Sequence, residues 1–106
     1  MKDPADEYDR RQLGLMRKAL SSFEYGEINL SELIGTLDSL LAMLRKVTEE
    51  WTASFQAEWW DLEQVYADAL DRGQDPMGGE YEAMIKDAVA RLSDLIAERE
   101  VGRERS

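Results

Sequence analysis

Apolar residues recur three and four positions apart in four successive segments of this 106-residue chain, and this spacing constrains the fold more than any other feature. Residues at that spacing share one side of an α-helix, so each segment predicts a helix with one apolar face. No stretch alternates apolar and polar residues over the length of a bounded β-strand. The sequence therefore predicts an all-α fold, a small antiparallel bundle of about four helices joined by short links.

The first two predicted helices have recognisable ends. Gly26 ends the first, because glycine readily adopts the left-handed conformation that closes a helix. Asn29 or Ser31 caps the start of the second. Gly35 lies inside the second helix at a cost of about 1 kcal/mol relative to alanine, which indicates either a close helix crossing or a tolerated glycine. The predicted apolar positions are Leu13, Met16, Leu20 and Phe23 in the first helix, and Leu30, Leu33, Ile34, Leu37, Leu40, Leu41 and Leu44 in the second.

The third and fourth predicted helices are separated by a segment rich in helix-breaking residues. Thr48 caps the third helix and Gly73 ends it. The fourth helix begins near Glu80. The predicted apolar positions are Trp51, Phe55, Trp59, Leu62, Tyr66, Ala69 and Leu70 in the third helix, and Tyr81, Ile85, Ala88, Val89, Leu92, Leu95 and Ile96 in the fourth.

The length supports a single helical domain over residues 1–106, and a hydrophobic fraction of 43% is enough to fill its core. Residues 1–9 contain a proline and four acids without periodicity, which predicts a frayed end or a helix lead-in. Residues 101–106 contain Gly102 and little apolar surface, so we expect them to fray as well.

The chain lacks histidine and cysteine, on which much enzyme and metal chemistry depends. The remaining candidates are carboxylates: an acid–base or metal pair among Glu58, Asp61 and Glu63, and a calcium loop starting at Asp71. The calcium loop has Pro76 where a glycine should make the sharp turn. We interpret both as ordinary surface charge and predict no enzyme activity, no catalytic residue, no cofactor and no metal site.

The formal charge of -10 comes from 23 acidic and 13 basic residues. Such a charge repels phosphate backbones and anionic lipid surfaces, so we expect neither nucleic acid nor membrane as a partner, and a basic protein is favoured. The basic cluster of Arg10, Arg11, Arg17 and Lys18 is set among acids, which favours intramolecular ion pairs. No signal peptide or membrane span is recognisable, and we expect a cytoplasmic protein.

The acidic residues concentrate between Val47 and Glu82, where ten acids face one base. Trp60 lies in this segment, about 140° around the third helix from the centre of its apolar stripe. A tryptophan among acids is typical of an anchor for a basic protein. The predicted partner-binding residues are Glu50, Trp60, Asp61, Glu63 and Asp68. Two alternatives remain open: Trp60 packs on the first helix or the N-terminal segment of its own chain, or two copies form a homodimer through this face.

Part of the chain resembles a known group of bacterial proteins. Roughly residues 23–73 resemble immunity proteins of contact-dependent growth inhibition systems, which are encoded beside polymorphic toxins. The resemblance is carried by Gly26-Glu27-Ile28-Asn29-Leu30-Ser31-Glu32-Leu33-Ile34, Glu49-Glu50-Trp51, Phe55, Glu58-Trp59, Leu62-Glu63, Tyr66-Ala67 and Ala69-Leu70-Asp71-Arg72-Gly73.

The resemblance implies a protein that neutralises a cognate toxin domain by stoichiometric binding, without performing chemistry. Many such toxins are nucleases with basic clefts, which an acidic partner fills or holds nearby. No individual residue is assigned by the resemblance, because immunity proteins bind through surfaces that vary with the toxin. The alternative function is a self-associating structural or regulatory bundle with no toxin partner.

Overall fold

The computed structural model describes residues 4–74 and 79–105, with side chains described for residues 7–74 and 79–99. Four helices account for most of these residues: α1 (Pro4–Glu24), α2 (Leu30–Met43), α3 (Glu49–Arg72) and α4 (Tyr81–Arg105). No strand occurs within the described ranges. The prediction of an all-α bundle of four helices is confirmed.

The helices form a closed ring in which each packs against two others: α1 against α2 and α4, and α3 against α2 and α4. Contacts between opposite ends show that neighbours run antiparallel. Asp9 near the start of α1 bonds to Arg45 just after the end of α2, and Trp51 at the start of α3 bonds to Leu95 late in α4. Helices α1 and α3 are therefore diagonal to each other, and α2 and α3 share one face of the bundle.

The predicted helix ends are formed by the expected local interactions. Asn29 and Glu32 make a reciprocal capping box at the start of α2, and Thr48 accepts a hydrogen bond from the Trp51 amide at the start of α3. Gly73 follows α3 in the left-handed conformation with φ of 65°. These bonds satisfy backbone groups that a helix end otherwise leaves without partners.

The core runs along the inside of all four helices. The buried residues are Leu13, Met16, Ala19, Leu20, Phe23, Leu30, Leu33, Ile34, Leu37, Leu40, Trp51, Phe55, Leu62, Val65, Ala69, Tyr81, Ile85, Ala88, Val89, Leu92 and Ile96 among the apolar ones, with Asp9 and Gln12. Leu41, Leu44, Trp59, Tyr66 and Leu95 are partly buried against this core. The predicted apolar faces are thus largely confirmed.

Two assignments on α3 were wrong because its environment changes along its length. Leu70 is 61% exposed, and Val65, absent from the predicted stripe, is buried. The bond between Trp59 and Ile34 places the start of α2 opposite about residue 63, so Leu70 lies about 10 Å beyond the first residue of α2. The predicted apolar stripe of α3 was centred too far toward α2. The face that is buried in the structure lies closer to α4.

Within the described residues both ends are helical, which agrees with the helix lead-in offered for residues 1–9, while the expected fraying stays a prediction. Helix α1 begins at Pro4, and proline suits a first helical turn because its missing amide would have no partner there. The Asp9 carboxylate is fully buried and accepts hydrogen bonds from the Arg45 and Lys46 amides at 2.9 and 2.7 Å. At the other end, α4 continues to Arg105. Residues 1–3 and 106 lie outside the described ranges.

The link between α2 and α3 is held from two sides. Besides the two bonds from Asp9, the Arg99 guanidinium of α4 donates to the Lys46 carbonyl at 2.6 Å. The Arg45 guanidinium lies 4.5 Å from the centre of the Tyr8 ring, within the range of a cation–π contact. Helices α1 and α4 together therefore fix the geometry of the α2–α3 hairpin.

Gly35 in α2 is not explained by a close helix crossing. A Cβ atom built on Gly35 would meet no atom within 4 Å, and the same is true of Gly14 in α1. Neither residue has positive φ. Of the two explanations offered by the sequence, the close crossing is wrong.

Within the described part of the chain, none of the four helices combines the length and the hydropathy needed to cross a lipid bilayer.

Asp9→Asn is expected to lower the free energy of unfolding by about 2 to 3 kcal/mol, because the amide replaces one of two acceptors that serve backbone amides in a buried site. Chemical denaturation followed by circular dichroism measures the loss. Asp94→Asn, on the exposed side of α4, is the matched control and should change stability by less than about 0.5 kcal/mol. Equal effects of the two substitutions would show that the Asp9 bonds contribute nothing specific.

Gly14→Ala and Gly35→Ala are each expected to raise the free energy of unfolding by about 0.5 to 1 kcal/mol, because alanine restricts the unfolded chain and meets no steric conflict in the helix. Thermal and denaturant unfolding of both variants measure the gain. A loss of stability in either variant would mean that the helix needs the glycine for its own packing.

Candidate docking surface on α2 and α3

The negative charge of the protein belongs mainly to the hairpin of α2 and α3. These two helices carry nine carboxylates and one basic residue, Arg72. In contrast, α1 carries four acids and four bases, and α4 carries six acids and five bases. Because α2 and α3 are neighbours in the ring, the acidic residues collect on one side of the molecule and leave the α1 side close to neutral.

A groove of about 380 Å³ lies between α2 and α3 on this acidic side. Two kinds of side chain line it: small or apolar groups, and polar groups at the margin. The lining residues are Asp38 and Leu41 from α2, and Gln56, Ala57, Trp59 and Trp60 from α3. We call this feature the α2–α3 groove.

The two adjacent tryptophans of α3 have different roles in the groove. Trp59 is partly buried, and its indole N–H donates a hydrogen bond to the Ile34 carbonyl of α2 at 2.9 Å. Trp60 is 53% exposed, and its ring centre lies 6.4 Å from that of Trp59. Its indole N–H has no hydrogen-bond partner among the residues that the structure describes. Trp59 thus fixes α3 against α2, while Trp60 presents an aromatic surface to solvent.

The surroundings of Trp60 bear on the alternative in which it packs against its own chain. Its neighbours among the described residues belong to the α2–α3 groove, and α3 packs against α2 and α4 in the ring. Packing of Trp60 on the first helix finds no support among the described residues, and packing on the N-terminal segment involves side chains outside them. About half of the side chain remains free for a partner.

The five predicted partner-binding residues do not share one face. By helical geometry Glu50, Asp61 and Asp68 follow one edge of α3, about 80 to 100° from Trp60. That edge faces α4, because Asp68 accepts a hydrogen bond from the Tyr81 hydroxyl at 2.7 Å. Glu63 is partly buried and lies on the α2 side of α3, about 60° from Trp60.

Some of the predicted acids are free to contact a partner, whereas others already bind groups within the chain. Glu50 and Asp61 are exposed, whereas Asp68 is held by Tyr81 and by an ion pair with Arg72 at 3.4 Å. The groove also uses Asp38 of α2, which the sequence did not single out. Only the contact between α2 and α3 reveals that Asp38 and Trp60 line the same surface, so no pattern within one helix could have found the pair.

The environment of Tyr81 changes its acidity. Its pKa is raised above 10.0, first because Asp68 accepts the hydroxyl hydrogen bond and favours the neutral phenol. Burial of the ring and the negative charge of Asp68 act in the same direction. The bond stabilises the junction of α3 and α4, which forms one margin of the acidic surface.

A second cleft, of about 510 Å³, lies between α1 and α4. Its floor contains Phe23, Ile85 and Val89, and at its mouth Lys86 is paired with Glu82 at 3.3 Å. The cleft has no exposed tryptophan in its lining, and the helices α1 and α4 that form it carry acids and bases in nearly equal numbers, unlike α2 and α3. We therefore take the groove as the candidate site.

The carboxylates suggest no metal chemistry in the described part of the chain, where no three acidic, histidine or cysteine residues converge on a metal-sized position. Glu58 interacts instead with Arg91 at 3.5 Å across α3 and α4. Asp61 and Glu63 lie on different sides of α3. The calcium loop considered from Asp71 includes residues 75–78, which lie outside the described ranges.

Comparison with family models, with curated proteins and with solved structures gave no match.

We expect the stability difference between the wild type and Tyr81→Phe to stay constant up to about pH 10 and to shrink above it. A tyrosine whose folded-state pKa is raised contributes stability below its unfolded pKa and loses it as the pH rises through the folded value. Asp68→Asn should lower the pKa of Tyr81 toward its usual value. Ultraviolet titration of phenolate measures this shift, with the exposed Tyr25→Phe as the control. A pH-independent difference would contradict the hydrogen bond as the cause.

Proposed function

We propose that this chain is a binding protein that neutralises a basic toxin domain, a nuclease in the first instance, by docking it on the acidic side of the bundle. The observation that carries the proposal is a half-exposed Trp60 on a pair of helices that carries nine carboxylates and one base, with Asp38 in the same groove and Glu50 and Asp61 exposed on one edge of α3. The resemblance of residues 23–73 to immunity proteins supports the same assignment. The protein performs no chemistry in this proposal and needs no cofactor.

The charge and the tryptophan would act at different stages of binding. A one-sided acidic surface attracts a basic partner over a distance and accelerates the encounter, most strongly at low salt. The indole of Trp60 then loses its exposed area in the complex, and buried aromatic anchors slow dissociation. An acidic bundle seated over a nuclease cleft would occupy the place of the substrate phosphates.

The proposal locates the chain in the cytoplasm, where a nuclease would reach nucleic acid. The absence of cysteine fits a reducing compartment. Direct binding to nucleic acid or to a membrane surface is not part of the proposal, because the net charge opposes both.

Self-association is the second candidate function, and one observation favours it. Helix α1 carries four bases beside four acids and lies diagonal to the acidic α3, so a second copy could bring this nearly neutral helix against the acidic side of the first. The formal charge of -10 opposes this association. Light scattering distinguishes the two: a monomer supports the toxin partner, and a monodisperse dimer that buries Trp60 supports self-association.

The decisive experiment uses the toxin domain encoded by the neighbouring open reading frame. We expect co-purification of the two proteins and survival of cells that express both. The absence of a complex together with the absence of rescue would end the proposal.

Charge reversal is expected to weaken that complex in a salt-dependent manner. Asp38→Lys and Asp61→Lys should each reduce affinity by about tenfold at low ionic strength and by much less at high salt, because screening weakens exposed charge interactions. Asp87→Lys, exposed on α4, is the control of equal charge change. Titration calorimetry at two salt concentrations gives the values. The same loss in all three variants would indicate an effect of net charge alone and would place the interface elsewhere.

A further inference from the structure

We infer that the α2–α3 groove binds one basic amphipathic helix of the partner, with Trp60 as the apolar anchor. This inference rests on the proposed function and adds to it the element of the partner that docks and its orientation along the groove. Three features of the structure carry it: the position of the groove between two antiparallel helices, the exposure of Trp60, and the sign of the charges on these helices.

The groove lies between two packed antiparallel helices. Its lining covers Asp38 to Leu41 on α2 and Gln56 to Trp60 on α3, about one turn of each helix, so it would receive one turn of a docked helix, whose other turns would lie along the flanking surface of α2 and α3. A third helix packs against two neighbouring helices at an axial separation of about 8 to 10 Å. The exposed Ala57 is small and allows close approach, and the partly buried Leu41 supplies an apolar contact.

Trp60 is positioned to bury its ring against such a helix. The bond from Trp59 to the Ile34 carbonyl fixes the rotation of α3 relative to α2, so the next residue is held at the margin of the groove. With 53% of its surface exposed, Trp60 retains apolar area that the described residues leave uncovered. Amphipathic helices bind grooves through side chains repeated at three and four positions, which suits one ring and the apolar floor beside it.

The charges select a basic occupant over other helices. Asp38 lines one wall of the groove, Asp61 and Glu63 lie on α3 to either side of Trp60, and α2 contains no basic residue. A helix with one apolar face and lysine or arginine on its flanks meets both the floor and the walls. A second copy of this chain would bring either its own α2 and α3, which are also acidic and would be repelled, or the nearly neutral α1.

Gly35 provides a means of testing the site. It is exposed on α2, about 60° around the helix from Asp38 and three residues before it, and no internal contact requires a glycine there. A larger side chain at this position would obstruct a helix lying along the groove. Gly14 has equally open surroundings, but it lies on α1, which does not contact α3. Gly14 is therefore the matched control.

The test uses two synthetic 14-residue peptides made from the same lysines and leucines. In the first the leucines follow the helical period and form one face, and in the second they are distributed around the helix. We expect the first peptide to bind the full chain at least tenfold more tightly at physiological salt and to protect Trp60 from acrylamide quenching. Equal affinity for the two peptides would overturn the inference, because charge attraction alone would then explain binding.

Variants of the chain locate the binding site. Trp60→Ala and Gly35→Gln should abolish the preference for the amphipathic peptide, whereas Gly14→Gln should retain it. Circular dichroism of each variant confirms that the bundle is folded. A preference that survives Trp60→Ala and Gly35→Gln would place the peptide outside the groove, and a dimer that covers Trp60 in the free protein would make the occupant a second copy. Either result overturns the inference.

The same variants distinguish this inference from the proposed function. If the neighbouring toxin domain binds the wild type, Trp60→Ala and Gly35→Gln with equal affinity, the docked helix is wrong and the binding function remains. If the toxin domain binds none of them while the amphipathic peptide retains its preference, the groove is a helix-binding site and the toxin assignment is wrong.

Discussion

The buried carboxylate of Asp9 determines how the α2–α3 hairpin sits in the bundle. A charged group without water needs hydrogen bonds that replace its hydration, and the amides of Arg45 and Lys46 supply them. Because these amides belong to the link between α2 and α3, the start of α1 controls where one helix ends and the next begins. Arg99 holds the same link from α4. The candidate groove therefore depends on contacts made by the two helices that do not line it.

Concentrating carboxylates on two adjacent helices brings like charges together, which opposes folding. The α2–α3 hairpin also contains strong local stabilisation: the Asn29 capping box, the Thr48 cap, and the bond from Trp59 to Ile34. The capping box uses the Glu32 carboxylate, and Asp68 and Glu58 are paired with Arg72 and Arg91. Asp38, Glu50 and Asp61 stay exposed, so the hairpin keeps part of its acidic surface outside its ion pairs.

Helix positions and ends could be predicted because both follow from nearby residues. The apolar period defined the four helices, and Asn29, Thr48 and Gly73 marked ends where the structure has them. The buried role of Asp9 was missed because its hydrogen-bond partners are 36 and 37 positions away in the sequence. Leu70 was wrongly assigned to the buried stripe because its exposure depends on where α2 begins. The outward position of Trp60 followed from the helical period. That Asp38 lies beside Trp60 could not be predicted in the same way, because their proximity depends on how α2 packs against α3.

The unequal lengths of the helices have a mechanical consequence. Helix α3 extends beyond the first residue of α2, and at this end Asp68 bonds to Tyr81 of α4 while Leu70 is 61% exposed. The exposed last turn of α3 opens at a lower free energy than the middle of the helix, and its amides exchange hydrogen sooner. Such opening leaves the Trp59–Ile34 bond intact, so the distal end fluctuates while the groove keeps its shape.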